Sequence, residues 1–211
     1  MGAYPESIQK LIDLFTKFPG IGPRQATRFV FFMLKNRPVI HELTSTLTEV
    51  DAKIAFCQLC YRALEKIGEQ KNPHCQFCRD AKRNQRQIAV VEKEADLQNM
   101  EKTGAFAGLY HVLDGLIAPL DPNSAKNLHL KELYERIKML LEKEEKCEVI
   151  LATGATTEGD MTALYIERIM APLKNKFPEL KISRLGRGLS LGSELEYADE
   201  VTLKNALTNR K

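Results

Sequence analysis

No run of eighteen apolar residues occurs in this 211-residue chain, so a membrane span is not expected. The opening Met1-Gly2-Ala3-Tyr4-Pro5-Glu6 lacks a basic stretch followed by an apolar core, and Glu6 stands where a myristoylated chain needs Ser or Thr. Neither a secretory signal nor an acyl anchor is expected, which leaves the cytoplasm as the expected compartment. Internal repeats and low-complexity tracts are also missing. No Gly-x4-Gly-Lys-Ser/Thr phosphate loop occurs, and the spacing Gly186-x-Gly188-x3-Gly192 is wrong for a dinucleotide loop. His41, His74, His111 and His129 have no nearby Ser or Cys in a nucleophile context, so histidine-assisted covalent catalysis is not expected; His74 adjoins Cys75 and could compete as a metal ligand, but four cysteines already suffice.

What is present is ordinary globular composition, 44% hydrophobic and 28% charged, which excludes a disordered chain. The length suits one sizeable domain or two small ones. The net charge of +3 hides an asymmetry. Residues 1–86 carry 14 Lys and Arg against 8 Asp and Glu, whereas residues 87–211 carry 17 against 20. A basic front half points to a polyanion partner; a merely solvated basic surface is the alternative.

Ile8, Leu11, Ile12, Phe15 and Phe18 recur at helical spacing, with Glu6 or Ser7 placed to cap the start. Phe18-Pro19-Gly20-Ile21-Gly22-Pro23 cannot continue that helix. A second helix is expected from about Arg24 to Leu34, with Ala26, Phe29, Val30 and Met33 on its buried side and Asn36-Arg37-Pro38 ending it. A third apolar-periodic stretch, Ile40 to Ala55, leads into a cysteine-bearing segment. From Gln87 the texture changes to short apolar runs. Ile88–Val91, Leu109–Leu113, Val149–Ala152 and Lys181–Leu185 read as strands, alternating with helical stretches Asp96–Lys102, His129–Lys146 and Met161–Leu173. That alternation predicts an open α/β sheet of mostly parallel strands.

Three motifs carry chemistry. Cys57-x2-Cys60-x14-Cys75-x2-Cys78 has the pairing of a four-cysteine zinc site, closed to substrate and therefore structural, one zinc per chain. The gap is one residue short of the usual range, which a tight loop at Ile67–Pro73 can absorb. Two disulfides are the alternative, disfavoured in a reducing compartment. Cys147 is left over and is expected to be buried. Second, Gly20 and Gly22 between two apolar helices, followed by Arg24 and Arg28 one turn apart, form an anion-binding turn at a helix start. The arrangement resembles the helix-hairpin-helix motif, which grips DNA phosphates without reading sequence. Third, Glu92, Glu158 and Asp160 lie just beyond the carboxyl ends of buried strands, where open α/β sheets place their sites. This resembles the Toprim domain, but the two aspartate positions of its metal site read Gly154 and Thr156. Losing two carboxylates should remove a magnesium site.

Together with Tyr110-His111-Val112-Leu113-Asp114-Gly115-Leu116-Ile117-Ala118-Pro119-Leu120 and the tail Arg184–Leu189 and Gly192–Leu203, these motifs resemble the RecR family of recombination mediators over nearly the whole chain. The resemblance implies a multidomain protein of α+β and α/β class. Its expected parts are a helix-hairpin-helix region at 1–52, a zinc module at 53–80, a Toprim-like domain at 81–175 and a C-terminal segment at 176–211 that is a possible oligomer contact. It implies a non-enzymatic role in recombinational DNA repair: a homodimeric or homotetrameric ring that binds DNA through Arg24 and Arg28. Such a ring loads a RecA-type recombinase with RecO-like and, in many hosts, RecF-like partners, which would meet the acidic face at Glu92, Glu158 and Asp160. Two other readings compete: a small magnesium-dependent Toprim nuclease or primase-like enzyme, and a zinc-stabilised adaptor with no DNA role.

Overall fold

The helical spacing near the N-terminus becomes three helices, α1 (Glu6–Phe15), α2 (Pro23–Lys35) and α3 (Arg37–Lys53). The computed structural model describes residues 4–66, 68, 73–121, 123–144, 146–186, 188–189, 192 and 194–208. Most of the expected loop at Ile67–Pro73, and Arg187 and Ser193 of the tail motif, lie outside the described residues. Two compact units result, Met1–Ile54 and Ala55–Lys211.

In the first unit Ile12 of α1 meets Ala26, Val30 and Met33 of α2 in a small core. Three sequence expectations change here. Neither Glu6 nor Ser7 caps α1; Pro5 holds the N-cap position without a side-chain bond, and both residues lie inside the helix. Phe29 is not buried but 38% exposed, resting edge-on against Phe15 at 5.9 Å. Asn36-Arg37-Pro38 ends α2 but also starts α3. Pro38 sits in the first turn, where a missing N–H costs nothing and the fixed φ suits a helix. None of the residues of α3 is buried.

A ribbon of β1 (Ile54–Phe56), which starts on the last residue of the first unit, and β2 (Ala63–Glu65) comes next, followed by the short α4 (Gln76–Arg79). The sheet then alternates with helices: β3 (Asn84–Val91), α5 (Glu94–Lys102), β4 (Gly108–Val112), α6 (Leu130–Glu144), β5 (Cys147–Ala152), α7 (Thr157–Lys176) and β6 (Leu180–Arg184). Strand order is β4-β3-β5-β6, and each neighbouring pair is parallel. Ile88 to Val91 are buried on both faces for a simple reason of period. Ile88 and Val90 join the core under α6 and α7, while Ala89 and Val91 join Leu97, Tyr110 and Val112 in the core on the other face. Beyond β6 a 3-10 turn at Leu195–Tyr197 leads into a helix the sequence pattern did not announce, α8 (Glu200–Thr208).

Candidate functional site

The hairpin turn joins α1 to α2. Gly20 has φ +77, in the left-handed region that disfavours any side chain, whereas Gly22 is extended and forms the N-cap of α2. A Cβ at either glycine would meet nothing within 4 Å, so both face open space. The first N–H groups of α2 have no acceptor inside the helix and lie at its positive end. Arg24 and Arg28 are both exposed on this helix, one turn apart. Gly20 and Gly22 thus lie at the start of α2, and Arg24 and Arg28 lie within its first two turns.

The four cysteines of the second unit also converge. Cys57, Cys60, Cys75 and Cys78 are free thiols whose sulfurs all lie within 4.8 Å of one another, with Cys60 and Cys75 at 3.5 Å. Four sulfurs around a metal at zinc–thiolate bond length would stand about 3.8 Å apart, so the donor set fits a tetrahedral thiophilic ion. The Cys75 amide donates to Cys57 Sγ at 3.3 Å, one more bond that favours thiolate there. The sulfurs split one another's acidity. Cys57 is lowered, first by the bond from Cys60; Cys60 is raised, first by Cys57; Cys78 is raised, again first by Cys57. Cys75 settles at about 7, raised by Cys57 but lowered by Cys60 and Cys78. Four thiolates cannot share this space without a cation between them. His74 stays outside the set.

The knuckle is fastened to the sheet unit. Phe77 lies between two guanidinium groups, Arg62 at 4.5 Å and Arg83 at 4.3 Å from its ring centre. Each arginine pairs with α5, Arg62 with Glu94 at 2.8 Å and Arg83 with Glu101. Tyr61, at φ +63, stacks on His129 with ring centres 3.8 Å apart. The Val112 amide donates to the Cys60 carbonyl at 2.9 Å.

At the strand ends, Glu92 follows β3 directly, and Glu158 and Asp160 occupy the first turn of α7. Among the described residues, their carboxylates do not gather into a three-ligand cluster. Thr156, in one of the two aspartate positions of the Toprim pattern, is the N-cap of α7, its hydroxyl accepting from the Gly159 amide at 3.1 Å. Gly154 and Gly159 pack backbone to backbone, since a Cβ at Gly159 would fall 2.0 Å from the Gly154 carbonyl oxygen. Asp160 is engaged from within the chain: Arg184 Nη1 lies 3.3 Å from it, while Nε donates to Glu167 at 2.9 Å. Glu158 is exposed, and Glu92 has Lys93 at 3.6 Å.

Sequence reasoning missed Arg184 as the cation on this acidic face and Asp114, a non-glycine residue at φ +65 just beyond β4. The Asp114-Gly115 pair was a signal for the latter, because Asp tolerates left-handed backbone. Cys147 is buried as expected, and burial pushes its thiol up to about 11.

Comparison with known proteins matches the chain to the family model described as RecR, helix-hairpin-helix, over residues 8–50. A Toprim domain model matches residues 86–186, and the model described as RecR, C-terminal, matches residues 188–211. The "Recombination protein RecR" of Cutibacterium acnes is 42% identical over 209 residues, covering 98% of this chain and 96% of that protein. The protein of the same name from Herpetosiphon aurantiacus is 41% identical over 208 residues, covering 98% and 95%. That from Staphylococcus aureus is 41% identical over 209 residues, covering 98% of each.

Proposed function

The chain belongs to the RecR family of recombination proteins, and from that premise we propose that it is a non-enzymatic, DNA-binding mediator of recombinational repair. The observation that carries the reading is the hairpin turn: Gly20 and Gly22 leave open space at the start of α2, with Arg24 and Arg28 exposed beside it. Backbone donors at a helix start with two exposed guanidinium groups on its first turns suit phosphate, and phosphate contacts hold DNA without reading its sequence. We divide the chain into a DNA-binding region at 1–52, a metal module at 53–80, a Toprim-like domain at 81–175 and a C-terminal segment at 176–211.

Cys57, Cys60, Cys75 and Cys78 hold one structural zinc on this reading, which ties the knuckle into a fold too short to build its own core. The protein assembles as a homodimer or homotetramer that encircles DNA. Phe18 and Phe32 at 57% and 58% exposure supply apolar area for such a contact. The acidic face at Glu92, Glu158 and Asp160 receives a basic surface of a RecO-like or RecF-like partner, and the complex loads a RecA-type recombinase. Asp160 already faces Arg184, so a partner's cation competes there and meets Glu92 and Glu158 more freely.

The test is retention of DNA at two salt concentrations. Unmodified protein should bind with little sequence preference and weaken steeply with salt. Arg24→Glu and Arg28→Glu should each abolish retention while folding and zinc content stay normal. Wild-type affinity and salt dependence in both would reduce the turn to a simple connection. Magnesium-dependent nicking of supercoiled DNA, lost in Glu92→Gln, would make the protein a Toprim enzyme instead.

A further inference from the structure

The metal cluster has a neighbour that no cysteine spacing announces. Arg136 projects from α6, in the middle of the charged run Glu132–Lys138, yet it is 5% exposed. Its guanidinium reaches three groups distant in sequence. Nη1 donates to the Leu59 carbonyl at 2.9 Å and to the Tyr110 carbonyl at 2.7 Å, while Nη2 points at Cys78 Sγ at 4.0 Å. Leu59 lies inside the first Cys-x-x-Cys turn, Cys78 closes the second, and Tyr110 is the middle residue of β4. One planar fork thus touches both halves of the knuckle and the edge strand of the sheet.

A buried guanidinium is costly unless a negative charge answers it. The two carbonyls bring only partial charges. Four thiolates around a divalent ion would carry a net charge of about −2, and Nη2 stands 4.0 Å from one of the four sulfurs. Buried cation and over-charged metal site therefore stabilise each other. Groups outside the ligand set that bond to ligand sulfurs or to the ligand turns hold the donors in place.

We propose that Arg136 is the counter-cation of the four-cysteine metal site and the link through which metal binding locks the knuckle onto β4. Arg136 is a positioning residue: it binds no metal itself, but orients the ligand turns and offsets their charge. The inference rests on the zinc reading of the cluster, which the zinc content of the unmodified protein tests separately.

The experiment uses the full chain under reducing conditions, loaded with zinc and titrated against a chromophoric chelator. Arg136→Met and the polar Arg136→Gln should each lower zinc affinity by roughly 10- to 100-fold. Lys143→Met, on the same helix with its side chain 79% exposed, should leave affinity unchanged. A brace with no bearing on the metal would lower thermal stability with and without zinc equally and leave affinity unmoved, and that outcome overturns the proposal. Should Arg136→Met fail to fold, Arg136→Gln carries the comparison. The unmodified protein supplies a second measurement. Removing zinc should speed hydrogen exchange at the Val112 amide, which bonds to the Cys60 carbonyl. Unchanged exchange there would also sink the link.

Discussion

In the N-terminal unit Ile12, Ala26, Val30 and Met33 are buried while Phe18, Phe31, Phe32, Leu43, Leu47 and Val50 stay exposed; in the sheet, every residue from Ile88 to Val91 is fully buried. The sheet finds its partners within its own chain, because α5 covers one face and α6 and α7 the other. The helical unit packs one stripe of α2, Ala26, Val30 and Met33, and leaves other apolar residues of α2 and all those of α3 outside it. A helix with apolar side chains outside its packed stripe retains surface that the free chain cannot bury. The two units should therefore answer to different perturbations: the sheet to loss of core, metal or protonation state, the helices to changes that leave the fold alone and alter what it binds.

The largest expected effect separates them most sharply. On the proposed zinc reading, Cys75→Ser should abolish stoichiometric zinc binding and lower the Tm of the sheet unit by on the order of 10 °C, since a structural metal contributes directly to folding. The helical unit carries no cysteine, so its own transition should not move. Calorimetry with elemental analysis under reducing conditions checks both halves. A variant that lost its zinc but kept its Tm would remove the metal from the account of the sheet unit.

Acid comes next. His111 is fully buried, its Nε2 bonded to the His129 carbonyl at 2.8 Å. Burial, with the Arg136 charge second, pushes its imidazole down to about 3. The unfolded chain takes up that proton at about 6.5, so below this pH the unfolded state binds more protons than the native one. Stability is then fully present above about pH 6.5 and is lost as pH falls toward 3, a loss of several kcal/mol. Urea midpoints at pH 7, 5 and 4 should fall accordingly, and His111→Gln should flatten the decline. An unchanged slope in that variant would assign acid sensitivity to the carboxylates instead.

How far these features are legible in the sequence depends on whether their cause is local. The strand at Ile88–Val91 declares itself because burial on both faces forces a continuous apolar run, and Val149–Ala152 follows it with only Ile150 half-buried. The cysteine cluster is legible because ligand spacing is itself a local rule. The pattern misplaces Phe29 because helical period marks a face without saying how wide the packed stripe is. Pro38 reads as a stop, although proline is equally at home in a first turn. Arg136 and Arg184 cannot be found from sequence at all. Nothing in the runs around them differs from a solvated helix face or a strand end, and their roles come from contacts with residues far off in sequence.

A pair of truncations sharpens the contrast at smaller scale. Ile137→Ala, in the fully buried row of α6, should cost about 2–5 kcal/mol. Phe32→Ala removes a larger side chain that is 58% exposed, and should change the stability of the isolated protomer by less than about 0.5 kcal/mol. If that exposed face is an assembly surface, the same substitution should lower the mass in solution at micromolar concentration. Light scattering reads this directly. A costly Phe32→Ala with unchanged mass would mean that the helical unit does use its exposed rings for its own fold.

The smallest expected effects lie in the hairpin turn, where they separate fold from function within six residues of chain. Gly20 holds φ +77, so Gly20→Ala strains the backbone by about 1–2 kcal/mol even though the new methyl group meets nothing. Gly22 is different. Its φ of −84 and ψ of 169 suit any residue, and a Cβ there also meets open space. Alanine is a poorer N-cap than glycine, but it narrows the unfolded ensemble, and the two effects nearly cancel. Gly22→Ala should therefore leave stability within about 0.5 kcal/mol of wild type. On the proposed DNA-binding reading, the methyl group would nonetheless stand where a phosphate approaches the first N–H groups of α2. Each phosphate that the methyl group keeps away should flatten the slope of log K against log salt by about 0.7 to 0.9. A Gly22→Ala protein with native stability and a native salt slope would show that phosphate does not come in over this glycine, and would leave Arg24 and Arg28 to hold DNA by their side chains alone.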